Sequence, residues 1–258
     1  MTLRSFLEDV SREAGKLALS QIGQVSAESK GASIVSEADR SVERFLLSRI
    51  RAKFPGDYVL AEESGANGSV RPGDNTRWWA IDPIDGTGPY LSNLPFWGVS
   101  IACMRGARVE GGAVCLPALG ELYSAVADGP PLCNGKPIPP VRQTPPDDHG
   151  FLFVPCADVD GLRILFPGKR LALAAASLHL LYTARGSSFG VVVEPTCAYD
   201  IAAAAFILEK AGGAIRYSSG REVNFAELAD GRRTSEPVVA APSEQVDWLC
   251  ERVNWEQN

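Results

Sequence analysis

Only two histidines, His149 and His179, occur in the 258 residues, and the six cysteines at 103, 115, 133, 156, 197 and 250 stand singly, with no C-x-x-C pair. Neither a zinc site nor a disulfide framework is expected from that spacing. Basic runs dense enough to follow a phosphate backbone are also missing, and 31 acidic against 25 basic residues leave a net charge of −6, so nucleic acid is not an expected partner. There is no long apolar run. At the start, Met1-Thr2-Leu3-Arg4-Ser5-Phe6-Leu7-Glu8-Asp9 is interrupted by acids, so no signal peptide, no membrane span and a cytoplasmic, reduced setting are expected. No phosphate loop is present, because Gly15-Lys16-Leu17, Gly135-Lys136-Pro137 and Gly168-Lys169-Arg170 all lack the hydroxyl residue after lysine. No serine-nucleophile elbow is read in the chain either.

What is present begins with helical periodicity. Leu3, Phe6, Leu7, Val10, Ala14 and Leu17 predict an amphipathic first helix. A second is predicted from Ser36, a capping residue with Asp39 three positions on, with Val42, Phe45, Leu46 and Ile50 as its buried stripe. Strand-length apolar runs follow at 58–61, 78–81, 98–102, 112–115 and 122–126, and their succession without helices predicts an antiparallel sheet. A proline-rich stretch between Asn134 and Gly150 reads as a connector. Beyond it strands at 151–154, 191–193 and 238–240 alternate with helices at 174–184 and 200–210. A last helix is predicted with Ser243 as cap and Val246, Leu249, Cys250 and Val253 inward. The expected organisation is an α+β half over 1–145 and an α/β half over 146–258.

Three acidic elements adjoin apolar segments: Glu62-Glu63-Ser64, Asp82-Pro83-Ile84-Asp85-Gly86-Thr87 and Tyr199-Asp200-Ile201. Clustered carboxylates are hard oxygen donors of the kind magnesium takes, and a turn at Pro83-Ile84 can aim Asp82 and Asp85 at one point. Each element also has a plainer reading. Asp-Pro and Asp-Gly are common turn dipeptides, paired glutamates suit a solvated loop, and an aspartate favours any helix start.

In combination and order, the three elements resemble the inositol monophosphatase family of metal-dependent phosphatases. The D-P-I-D-G-T run followed by Pro95, Phe96 and Val99-Ser100-Ile101 is similar to its central motif. Glu62-Glu63-Ser64 is similar to its glutamate pair, and Tyr199-Asp200 through Gly212-Gly213 to its C-terminal aspartate helix. The resemblance implies a layered αβαβα sandwich of the inositol monophosphatase and fructose-1,6-bisphosphatase type. It implies that Glu62, Asp82, Asp85, the Ile84 carbonyl and Asp200 ligate two or three magnesium ions. Glu63 would bind the attacking water, and Thr87, bonded to Asp39, would orient it; Asp39 equally suits a capping box. The amides of Gly86 and Thr87 would receive phosphate oxygens, with Glu194 and Lys30 as further substrate contacts.

The implied partner is a small phosphorylated metabolite, inositol monophosphate being the best single choice. Histidinol phosphate, fructose 1,6-bisphosphate and adenosine 3′,5′-bisphosphate are alternatives, and Trp97-Gly98 is similar to the histidinol-phosphate branch. A homodimer is implied by resemblance alone. His179, inside a predicted helix, reads as a packed or surface residue rather than a ligand.

Overall fold

The structure is a computed structural model that describes all residues except 25–26, 31–32, 68–74 and 257–258, without the side chains of 27–30, 33–35 and 67. Helix α1 (Leu3–Gln21) is capped by Thr2, and α2 (Glu37–Lys53) by Ser36. Between them lies a hairpin, β1 (Ala27–Lys30) with β2 (Ser33–Ser36), whose four-residue strands are too short to show a periodicity in the sequence.

An eight-stranded sheet follows: β3 (Tyr58–Ala61), β4 (Gly65–Asn67), β5 (Arg77–Asp85), β6 (Gly98–Arg105), β7 (Arg108–Leu116), β8 (Glu121–Val126), β9 (Leu132–Cys133) and β10 (Lys136–Pro137). Their order is β10-β9-β8-β7-β6-β5-β3-β4. The expected antiparallel pairing holds except between β3 and β5, which run parallel. The chain adds β4 on the outer edge of β3 and re-enters on the other side, so the two strands share a direction. A short helix, α3 (Thr87–Leu91), interrupts the sheet between β5 and β6. Pro89 lies in its first turn, where a missing N–H costs nothing.

The second sheet contains β11 (Phe151–Phe153), β13 (Lys169–Leu171), β14 (Gly190–Val193), β15 (Gly213–Tyr217) and β16 (Val238–Pro242), ordered β13-β11-β14-β16-β15, while β12 (Leu162–Ile164) pairs separately with β17 (Val253–Trp255). Helices α4 (Ala176–Ala184) and α5 (Ala198–Lys210) lie between the sheets, and α6 (Val246–Cys250) covers the outer face of the second.

Strand alternation builds these layers. On β5, Trp79 and Ile81 pack under α1 and α2, while Trp78 and Ala80 face the α4–α5 layer. On β16, Val238 and Ala240 face that same layer, whereas Val239 and Ala241 meet Leu249 of α6. Helix α5 is buried nearly all round, and its Ala202–Ala205 run keeps it thin. A Cβ added at Gly112 of β7 would lie 2.9 Å from the Ala203 Cα. The five layers are the expected αβαβα sandwich.

Three helices differ from expectation in where they start or end. Helix α4 starts at Ala176 rather than 174, because Ala174 has a left-handed φ of 59° and cannot join the helix. Helix α5 starts two residues early, at Ala198, which puts Asp200 in its first turn. Ser243 is not the cap of α6: its N–H donates to the Gly212 carbonyl, and the helix ends at Cys250, so Val253 lies in β17.

Candidate active site

Four helix starts and two strand ends converge at one rim of the large sheet. Between Asp82, opposite Ser100, and Asp85, opposite Gly98, β5 carries one residue more than β6. This bulge contains Pro83, which has no ladder donor to lose. The Ile84 N–H donates to Asp82 Oδ1 at 2.9 Å, closing the turn that brings Asp82 and Asp85 to one side. Gly86, with φ of 91°, starts α3, and a Cβ there would lie 2.8 Å from the Phe96 carbonyl.

Asp85 is anchored across the fold by the start of α4: the Ala176 N–H at 3.2 Å, the Ser177 N–H at 2.7 Å, and the Ser177 hydroxyl. Asp200 accepts on Oδ2 from the Cys197 N–H at 2.8 Å and from the Thr196 hydroxyl. Asp39 divides its two oxygens. Oδ2 accepts the Ser36 N–H at 2.9 Å, completing the capping box, and Oδ1 accepts the Thr87 hydroxyl at 3.3 Å. The two readings of Asp39 are therefore compatible, each using a different atom. The Thr87 hydroxyl also lies 3.2 Å from the Ile84 carbonyl.

Glu62, Asp82, Asp85 and Asp200, drawn from three separate stretches of chain, act on one another electrostatically. Burial, then the charge of Asp200, pushes Glu62 up to about 8. Burial, then Glu62 and Asp85, holds Asp82 well above the carboxylate range. Burial raises Asp85 to about 7 against the opposing Ser177 hydrogen bonds, and it raises Asp200 against those from Thr196 and Cys197. Oxygens of Asp39, Glu62 and Glu63 also lie within 4.8 Å of one another.

Such a cluster of buried like charges is unfavourable without a compensating cation. Glu62 Oε2 is enclosed and has no hydrogen-bond partner among the described residues, an acceptor left over beside the hydrogen-bonded aspartates. An all-oxygen donor set with a leftover acceptor fits a hard divalent cation.

A cavity of about 260 Å³ opens from Asp85 and Asp200 toward Glu194, Cys156 and Arg233, with His179 in its wall. His179 is packed, as expected. It stacks on Phe153 at 4.5 Å, its Nε2 accepts the Leu173 N–H, and burial lowers its pKa to about 4. Trp97 is fully buried and meets Tyr90 edge-on at 4.9 Å, and a Cβ on Gly98 would lie 2.7 Å from Leu116, so this pair serves packing. The side chain of Lys30 lies outside the described residues.

Sequence reading paired Ser36 with Asp39 as a capping box but did not single out Ser177 or Thr196 as partners of Asp85 and Asp200. It also passed over Gly186-Ser187-Ser188-Phe189-Gly190, which does have the spacing G-x-S-x-G. That run leads from α4 into β14, the reverse of a strand-to-helix elbow, and the Ser188 hydroxyl bonds to Thr183.

The family model described as "Inositol monophosphatase family" matches residues 2–254. A fructose-1,6-bisphosphatase/inositol-1-monophosphatase of Thermotoga maritima is 30% identical over 83% of this chain and 84% of its own. A histidinol-phosphatase of Chlorobaculum parvum is 37% identical over half of each chain. Among solved structures, an IMPase of Thermotoga maritima superposes with a TM-score of 0.80 at 27% identity, covering 96% of this chain and 94% of its own. No helix among the described residues is long and apolar enough to cross a membrane. The chain belongs to the inositol monophosphatase family, whose members are metal-dependent phosphatases that hydrolyse phosphate monoesters.

Proposed function

We propose that the protein hydrolyses a small-molecule phosphate monoester with magnesium, inositol monophosphate being the best single substrate. The observation carrying this reading is the electrostatic coupling of Glu62, Asp82, Asp85 and Asp200 beside a cavity that Asp85, Asp200 and Glu194 line. These carboxylates and the Ile84 carbonyl would hold two or three magnesium ions. Bound there, the ions would neutralise the cluster and polarise the phosphoryl oxygens.

The remaining work falls to the chain. Glu63 accepts a proton from the attacking water, and the Thr87 hydroxyl, fixed by Asp39, orients that water. Phosphate oxygens rest against the amides of Gly86 and Thr87, at the left-handed turn that leads into α3. Glu194 accepts hydrogen bonds from hydroxyls of the leaving group, and Lys30 is a further contact by resemblance. The division at residue 145 places the glutamate pair and Asp82–Thr87 on one half and Asp200 on the other, so the cleft lies between them. A homodimer completes the reading.

Histidinol phosphate is the second choice, supported by the relative that carries that name and matches over half of its length. Trp97 lends it no support, since it is buried away from the cavity. The test is a phosphate-release screen over inositol monophosphate, histidinol phosphate, fructose 1,6-bisphosphate and adenosine 3′,5′-bisphosphate, with magnesium and with chelator. Magnesium-dependent turnover highest on inositol monophosphate is expected. Turnover that survives chelation would refute the metal reading, and none on any substrate would favour a protein-binding module that keeps the fold.

A further inference from the structure

Asp39 and Glu43 lie four residues apart on α2 and so point to the same side, one turn apart. Asp39 reaches Thr87. Glu43, 4% exposed, reaches the turn after β3: its Oε2 accepts the Glu63 N–H at 2.8 Å, and its Oε1 accepts the Ser64 N–H at 3.0 Å. Both oxygens of one buried carboxylate thus grip two successive amides, a charge-assisted and geometrically restrictive arrangement.

That clamp meets a particular need. Asp82, Asp85 and Asp200 are each aimed by N–H groups bonded to their own carboxylates. Glu62 has an enclosed oxygen with no hydrogen-bond partner among the described residues. The main chain of the pair is held at Glu62 by its N–H bond to the Ile81 carbonyl at 3.2 Å, and at Glu63 and Ser64 by Glu43, which ties it to the helix that carries Asp39.

We infer that Glu43 is a positioning residue for the reaction, fixing Glu62 and Glu63 relative to the Asp39–Thr87 pair without itself touching metal or substrate. The inference rests on the functional reading above. Glutamine at this position keeps one acceptor but turns an NH2 toward the other amide, donor against donor. Partners in an outer shell of this kind are worth about 10–100-fold in metal affinity or activity.

The test compares wild type with Glu43→Gln, Glu63→Gln and Ile50→Val, the last a buried α2 residue remote from the clamp. The readouts are turnover as a function of magnesium, substrate KM at saturating magnesium, and thermal midpoint. Glu43→Gln is expected to raise the half-saturating magnesium concentration and lower turnover, each by about tenfold or more, with KM nearly unchanged. Ile50→Val is expected to lower the midpoint and leave magnesium dependence alone, which separates positioning from general stability.

Wild-type magnesium dependence and turnover in a folded Glu43→Gln enzyme, with Glu63→Gln impaired, would overturn the inference and leave the function standing. Full activity in Glu63→Gln would instead remove the functional reading. Should Glu43→Gln fail to fold, amide exchange in the wild type decides. The N–H groups of Glu63 and Ser64 are expected to be protected, and free exchange at both would overturn the clamp.

Discussion

Removing divalent ions converts the acidic cluster into a pH-dependent weakness with a definite sign. In the metal-free fold Glu62 titrates near 8 instead of the ordinary 4.5, and Asp85 near 7 instead of 3.8. The folded state therefore holds more protons than the unfolded chain between about pH 4 and 8, and stability must fall as pH rises through that window. At about 1.4 kcal/mol per pH unit, ionising Glu62 in the fold costs about 5 kcal/mol more than in the unfolded chain. The carboxylates share one field, so the costs of Glu62 and Asp85 are not summed. Integrated from about pH 5.5 to 8.5, the Glu62 shift alone amounts to roughly 3 kcal/mol.

For a chain of this size, about 2–4 °C per kcal/mol makes that a loss of roughly 6–12 °C in melting midpoint. The assay is thermal denaturation followed by circular dichroism across this pH range, in chelator and in excess magnesium. With magnesium the trend should weaken or reverse, because the cation binds the deprotonated cluster and binding releases protons. A midpoint in chelator that is flat or rises toward pH 8.5 would refute the reasoning, since it would mean that the carboxylates ionise in the fold without cost.

Three further outcomes are expected. Asp85→Asn should lower turnover by at least about 100-fold, beyond the range of outer-shell partners, while the far-ultraviolet spectrum is kept; activity retained at saturating magnesium would remove Asp85 from the ligand set. Gly86→Ala combines a left-handed φ with a Cβ 2.8 Å from the Phe96 carbonyl, so turnover should fall sharply, and a wild-type rate would show that the α3 start does not need that geometry. Gly112→Ala places its methyl group 2.9 Å from the Ala203 Cα and should destabilise by about 1–3 kcal/mol, read as a lower melting midpoint.

How far the sequence speaks depends on whether a partner is near in the chain. The buried stripes of α1 and α2, the Ser36–Asp39 capping box and the strand runs are written in spacings of two to four residues and could be read directly. The three acidic elements were legible as motifs. Their convergence was not, because it depends on a bulge in β5 and on two helices that reach the site from the second sheet. Ser177 lies 92 residues from Asp85, and Glu43 lies 20 from Glu63, with nothing local to announce either pairing. Strands of three or four residues such as β1, β2 and β12 escaped notice because so short a run carries too little periodicity to be told from a loop. The parallel placement of β3 against β5 likewise depends on β4 and β5 lying on opposite edges of β3, which composition does not encode.

The alanine run of α5 acts as a spacer of fixed thickness. Asp200 rides on that helix, while Asp82 and Asp85 belong to the large sheet and Glu62 follows its strand β3, so the gap that the proposed cations would bridge is set by how closely helix and sheet stack. A larger side chain at Ala203, far from any phosphate, would wedge the stack open and lengthen that span. Such a change would imitate the loss of a ligand, a reminder that tolerance to substitution in this enzyme cannot be judged by distance from the reaction.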